Sequence, residues 1–157
     1  MIKYCALLSI VLLAACSNEK KLVDEMRDIP NAVWAYDQIP DFMFDVTNTQ
    51  INYEFYLNLK ILKTYPYENI YLLTHIKDAD GKITTQRANF KLTDENGNPK
   101  GGSVSGNTIT YQMPIPNEKR FNKAGKYFIA IEQNMRDSVV NGVASIGVMV
   151  KEGTPVF

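Results

Sequence analysis

Histidine, cysteine and tryptophan are nearly missing from this 157-residue chain, which has one His, two Cys and one Trp. His75 stands alone, and Cys5 and Cys16 lie together near the N-terminus, so no zinc centre of Cys and His ligands can be assembled. The His-Glu-x-x-His helix of metalloproteases is absent too. An excess of one charge is also lacking: 17 basic residues face 17 acidic ones. Without a basic stripe, nucleic-acid binding and polyanion capture are excluded as main roles. A membrane-spanning helix needs about 20 apolar residues, and the longest apolar run, Ala6 to Ala15, offers about half of that.

What this short run does have is order. Lys3 supplies a positive start, Leu7 to Leu13 an apolar centre, and Ala14 and Ala15 a small-residue cleavage site, the arrangement of a secretory signal. Leu13-Ala14-Ala15-Cys16 is similar to the lipobox of bacterial lipoproteins. That resemblance implies that residues 1–15 are removed and that Cys16 is acylated as the first mature residue. The alternative is an N-terminal helix with an ordinary free thiol. Each buried CH2 contributes about 0.8 kcal/mol, so two or three acyl chains hold a protein on a membrane far more firmly than one. Ser17 in place of Asp after the cysteine resembles outer-membrane sorting. The single acid in Ser17-Asn18-Glu19-Lys20-Lys21, where surface-export signals have an acidic cluster, favours the periplasmic face. Loss of Lys3 leaves 16 basic against 17 acidic residues, and no thiol remains to pair. The mature chain of about 142 residues is expected to form one domain that buries roughly two-thirds of its unfolded surface without a disulfide.

Residues 16–32 are expected to be the lipidated cysteine and a polar tether, with at most a turn or two of helix at Lys20 to Arg27, and residues 33–157 the folded domain. In Ile51 to Ile61 every odd position is apolar or aromatic and four of the five even ones are polar, the period-two pattern of a half-buried strand. Further strands are expected at Val33 to Tyr36, Phe42 to Val46, Ile70 to Asp78, Thr84 to Thr93, Thr108 to Met113, Lys126 to Gln133 and Ala144 to Lys151. Asp80-Gly81, Asn96-Gly97, Gly106-Asn107 and Asn141-Gly142 are turn pairs between them. About eight short strands without a long helical period predict an all-β, antiparallel β-sandwich of jelly-roll or Ig-like type.

Few residues offer chemistry. His75 shares a strand face with Tyr71 and Leu73, where a packed or surface imidazole is expected rather than a catalytic one. The runs beginning at Asp78 and Asp94 look superficially like calcium loops but break the ligand order, and plain turns account for both. Gly101 to Gly106 lacks the Gly-Lys-Ser/Thr of a phosphate cradle and reads as a mobile loop. Trp34, Tyr36, Phe42 and Phe44 share one parity: exposed, they are a stacking platform for sugars, and buried, they are core. Asp137-Ser138-Val139 resembles the acceptor motif of Bacteroidetes O-glycosylation, with Ser138 as the acceptor.

Several segments together resemble the gliding motility lipoprotein family GldH of Bacteroidetes: Cys16 in its lipobox; Tyr65-Pro66-Tyr67-Glu68-Asn69-Ile70-Tyr71-Leu72; Leu92-Thr93-Asp94 with Gly97; Gly125-Lys126-Tyr127; Ile131-Glu132-Gln133-Asn134-Met135-Arg136; and Gly142-Val143 with Gly147-Val148. Nearly the whole chain is covered. Asn98-Pro99-Lys100-Gly101-Gly102 departs from the Trp-containing, Gly-rich turn of the family. The resemblance implies a non-enzymatic, membrane-anchored lipoprotein without cofactors, an accessory of the gliding machinery linked to type IX secretion. Its implied partners are other envelope lipoproteins or gliding and secretion components. Tyr65, Tyr67, Asn69, Met135 and Arg136 are either pins for loops at a sheet end or a docking site, with Arg136 positioned to bind loop carbonyls or Asp137. A carbohydrate- or small-ligand-binding lipoprotein using the Trp34 strip is the alternative, and an envelope hydrolase has no nucleophile or acid-base set to support it.

Overall fold

The computed structural model describes residues 20–116 and 120–155; Cys16 and the expected signal segment lie outside them. The elements are β1 (Lys21–Asp28), a 3-10 turn (Pro30–Ala32), β2 (Val33–Ala35), β3 (Asp41–Val46), β4 (Ile51–Leu62), β5 (Asn69–Lys77), β6 (Ile83–Lys91), β7 (Ser103–Ser105), β8 (Thr108–Pro114), β9 (Gly125–Gln133), β10 (Val139–Asn141) and β11 (Val143–Pro155). One sheet has the order β1-β11-β4-β8-β7 and the other β3-β9-β5-β6, while β10 and β2 form a small ribbon. Every pairing is antiparallel. The expected sandwich is therefore the fold.

The alternation in β4 produces the core directly, since Tyr53, Phe55, Leu57, Leu59 and Ile61 all turn inward and are buried. From the facing sheet Phe44 meets Phe55 edge to face at 5.8 Å, and Phe121 packs on Tyr127 at 4.4 Å, within the range where aromatic pairs attract. Trp34, Phe42 and Phe44 are 0%, 1% and 1% exposed. The shared parity of these three is thus the parity of the core, and a sugar platform is overturned; of the four rings only Tyr36 reaches solvent. Burying Trp34 requires a partner for its indole N–H, which donates to the Gln38 carbonyl at 2.7 Å.

Three expectations need correction. Residues 21–28, read as tether, are strand β1, paired with β11 from Lys21↔Lys151 to Asp28↔Ser145. The misreading has a physical cause: β1 is an edge strand with only Val23 buried, so its charges face water and no period shows. Gly147 permits the pairing, since a Cβ there would stand 2.1 Å from the Glu25 carbonyl oxygen. Gly101 to Gly106 is not a mobile loop, because Ser103–Ser105 pairs with Thr108 to Thr110 as β7. The strands accordingly exceed the expected eight, with β1, β7 and β10 added.

Candidate functional site

The two acidic runs are turns. Asp78 Oδ1 accepts the N–H groups of Asp80 and Lys82 at 2.9 and 2.8 Å, and Asp94 Oδ1 those of Asn96 and Asn98, both at 2.9 Å. Backbone donors, Asn98 first, hold the Asp94 carboxyl below its ordinary 3.8. Among the described residues no group of three or more His, Cys, Asp or Glu is placed to hold a metal. His75 bridges two strands: Nδ1 lies 2.9 Å from Thr85 Oγ1 and Nε2 2.8 Å from Glu132 Oε2.

The residues singled out by the family motifs gather at one end of the sandwich. Strand β4 delivers the chain to Lys63 and Thr64, and Tyr65-Pro66-Tyr67 then crosses the sheet end before β5 begins at Asn69. Proline fixes φ at its own position and restricts the residue before it, so this crossing is stiff. The rings of Tyr65 and Tyr67 meet at 5.5 Å, nearly perpendicular. Tyr65 donates to the Asn69 carbonyl at 3.0 Å, and burial pushes its phenol far above the ordinary 10.0. Gly142, at φ +88°, lies under this loop; a Cβ there would stand 2.9 Å from Tyr65 Cα. Only glycine takes that conformation without strain and leaves the space.

Met135 and Asp137 hold the other half. Met135 sulfur accepts the Tyr71 N–H at 3.2 Å, and Asn134 N–H donates to the Tyr71 carbonyl at 2.8 Å, which fastens the end of β9 to β5. Tyr67 donates its hydroxyl to Asp137 Oδ2, and that bond raises its phenol above the ordinary value. Asn69 Nδ2 donates to Asn89 Oδ1 at 2.8 Å. Sequence reasoning gave no role to Gln133, yet this buried amide closes the β9–β10 turn: its Nε2 donates to the Asp137 and Ser138 carbonyls at 3.2 and 3.3 Å, and its Oε1 accepts the Met135 N–H at 2.9 Å. The signal was available, because Gln133 shares the inward parity of Tyr127, Ile129 and Ile131, and a buried amide requires partners.

Arg136 does otherwise than expected. Asp137 is engaged by Tyr67, and among the described residues the exposed Arg136 guanidinium has no hydrogen-bond or ion-pair partner. Ser138 is exposed in the same turn, its carbonyl receiving the N–H groups of Gln133 and Tyr36. The structure thus brings Tyr65, Tyr67, Asn69 and Met135 together as pins, and leaves Arg136 projecting beside them.

These features define an antiparallel β-sandwich without cysteines in its described part, closed at one pole by tyrosines bonded to its own chain. A family model described as GldH lipoprotein matches residues 21–150, and the chain belongs to that family. It is 28% identical to a protein named gliding motility lipoprotein GldH homolog from Christiangramia forsetii, over 88% of this chain and 83% of that protein. It is also 25% identical to the gliding motility lipoprotein GldH of Flavobacterium johnsoniae, over 93% of each chain. No solved structure matches it.

Proposed function

We propose that this chain is a non-enzymatic lipoprotein of the gliding machinery, linked to type IX secretion, acting by docking onto other envelope lipoproteins or secretion subunits. Cys16 bears the acyl chains, and the domain stands on the periplasmic side of the outer membrane. The lipobox, the family and the relatives' names support the anchor and the setting. One observation supports docking above the others: Arg136 is exposed and, among the described residues, unpaired, at the pole where Tyr65, Tyr67, Gln133 and Met135 are committed to holding the loops. On a rigid frame no backbone has to be ordered when the guanidinium meets a carboxylate, and forked pairing adds direction.

The test compares wild type and Arg136→Ala, both lipidated, in pull-downs from a gliding host probed for gliding and type IX subunits. Wild type is expected to recover them and the variant to lose them at unchanged melting temperature. Equal recovery would remove Arg136 from the interface. A deletion strain scored for spreading on agar and for secreted cargo separates a motility role from a secretion role, and mass spectrometry of the mature N-terminus tests Cys16.

A further inference from the structure

The four sheet edges are not alike. Edge β1 has five charged residues among eight, which discourages strand pairing. Edge β3 is shielded, since β1 lies beside it and Arg27 covers the Phe42 ring at 5.0 Å. Edge β7 is only three residues long. Edge β6 is nine residues long, contains no proline or glycine, and pairs on one side only, with β5.

Which groups of β6 are unpaired follows from its register. Leu92 N–H donates to the Glu68 carbonyl at 2.8 Å, and successive pairs alternate along an antiparallel ladder. Phe90, Ala88 and Gln86 therefore bond to β5, while Asn89, Arg87, Thr85 and Ile83 direct N–H and C=O to the open side. Among the described residues no backbone partner meets them there. At the Ile83 end the two sheets part around a cleft of about 810 Å³, lined in part by Thr84, Gln86, Ile76 and Phe121. Inward positions that should seal the core are polar here, and the sheet containing β6 has four strands against five in its partner sheet.

We propose that β6 is a strand-addition site that accepts an extended, acidic segment of another protein as a fifth strand. Main-chain hydrogen bonds to Ile83, Thr85, Arg87 and Asn89 supply affinity, and alternate side chains of the incoming strand enter the cleft. Its charge follows from the row it meets: from Lys82 to Leu92 there are three basic residues and no acid, with Arg87 and Lys91 exposed on β6 itself. Acidic residues on the solvent side of the guest face these as cross-strand opposite charges. A second copy aligned along the whole strand would set Arg87 opposite Arg87, which disfavours self-pairing. This surface is separate from Arg136, and its test fails or succeeds independently of the docking experiment above.

The experiment is amide hydrogen exchange on the full lipidated protein, alone and with blocked eight-residue peptides of alternating Thr and Glu or alternating Thr and Lys. In the free protein the Thr85, Arg87 and Asn89 amides should exchange fast while Gln86, Ala88 and Phe90 are protected. The Thr-Glu peptide should slow the first three by about tenfold or more, as new ladder bonds do, and the Thr-Lys peptide should not. Arg87→Glu should exchange the two preferences while Ala88 and Phe90 stay protected, which shows that the strand is intact. Protection of the edge amides without peptide, no slowing with the acidic peptide, or slowing at β1 instead would overturn the proposal. Slowing that grows with protein concentration alone would make the guest a second copy and overturn it equally.

Discussion

At one pole of the sandwich, around Tyr65, Gln133 and Met135, side chains are bonded to the protein's own backbone; at the other, around Asp80, Arg120 and Lys123, they border an open cleft. Both poles are made of turns joining strands of the same two sheets, so membership of a sheet does not explain the difference. Exposure of the contacts between loops does. Both poles have side chains bonded to loop backbone, Tyr127 to the Lys123 carbonyl at the second. At the first pole, however, Gly142 packs under Tyr65 and the half-buried Met135 sulfur accepts the Tyr71 N–H, whereas at the second the Arg120 bond to the Thr49 carbonyl and the Lys123–Asp80 contact are made by exposed side chains. Contacts that complete buried backbone bonding are costly to lose, and those between solvated charges are not.

The largest expected effect is at Gly142. Valine there meets the Tyr65 backbone in a left-handed conformation, and a loss of about 3 kcal/mol, roughly 5–10 °C in Tm, is expected by calorimetry. Gly97→Ala separates conformation from crowding: its φ is +80° but nothing lies within 4 Å, so only about 1 kcal/mol should be lost. Equal losses at the two glycines would erase the contrast between the rigid pole and an ordinary loop.

Tyr65→Phe should cost about 1 kcal/mol at neutral pH, because the Asn69 carbonyl loses its donor. Its pH dependence is the sharper measurement. A phenol held above 10.0 keeps its proton in the folded chain while the unfolded chain releases it, so stability that is full below pH 10 falls as pH rises beyond it. Denaturant melts should show wild type declining there and Tyr65→Phe declining less. Tyr53, Tyr111 and Tyr127 are raised in the same direction by burial, so some alkaline loss remains in the variant. Smallest is Lys123→Ala: with both partners more than half exposed, the midpoint of the same melts should not move measurably.

How far the sequence discloses this molecule depends on how much of each element is buried on one side. Strand β4 and the Trp34, Phe42 and Phe44 parity are readable because a core face imposes period two. β1 is not, because an edge strand with one buried residue has no face to impose it, and β7 and β10 are too short to show a period. The site divides in the same way. Tyr65-Pro66-Tyr67 is legible as a stiff loop from its own chemistry, and Gln133 from its parity. Asp137 pairing with Tyr67 instead of Arg136, and Met135 sulfur receiving the Tyr71 N–H, depend on how two distant loops approach, which no local pattern encodes.

The pairing of β1 also sets which way the domain faces. Lys21 lies opposite Lys151, beside Glu54 near the start of β4, whereas Tyr65 follows the other end of that twelve-residue strand. On the anchor proposed at Cys16, the five residues to Lys21 reach at most about 18 Å, which would hold the cleft pole close to the bilayer. Twelve strand residues at about 3.3 Å each would then set Arg136 some 40 Å further out, as a beacon turned away from that surface.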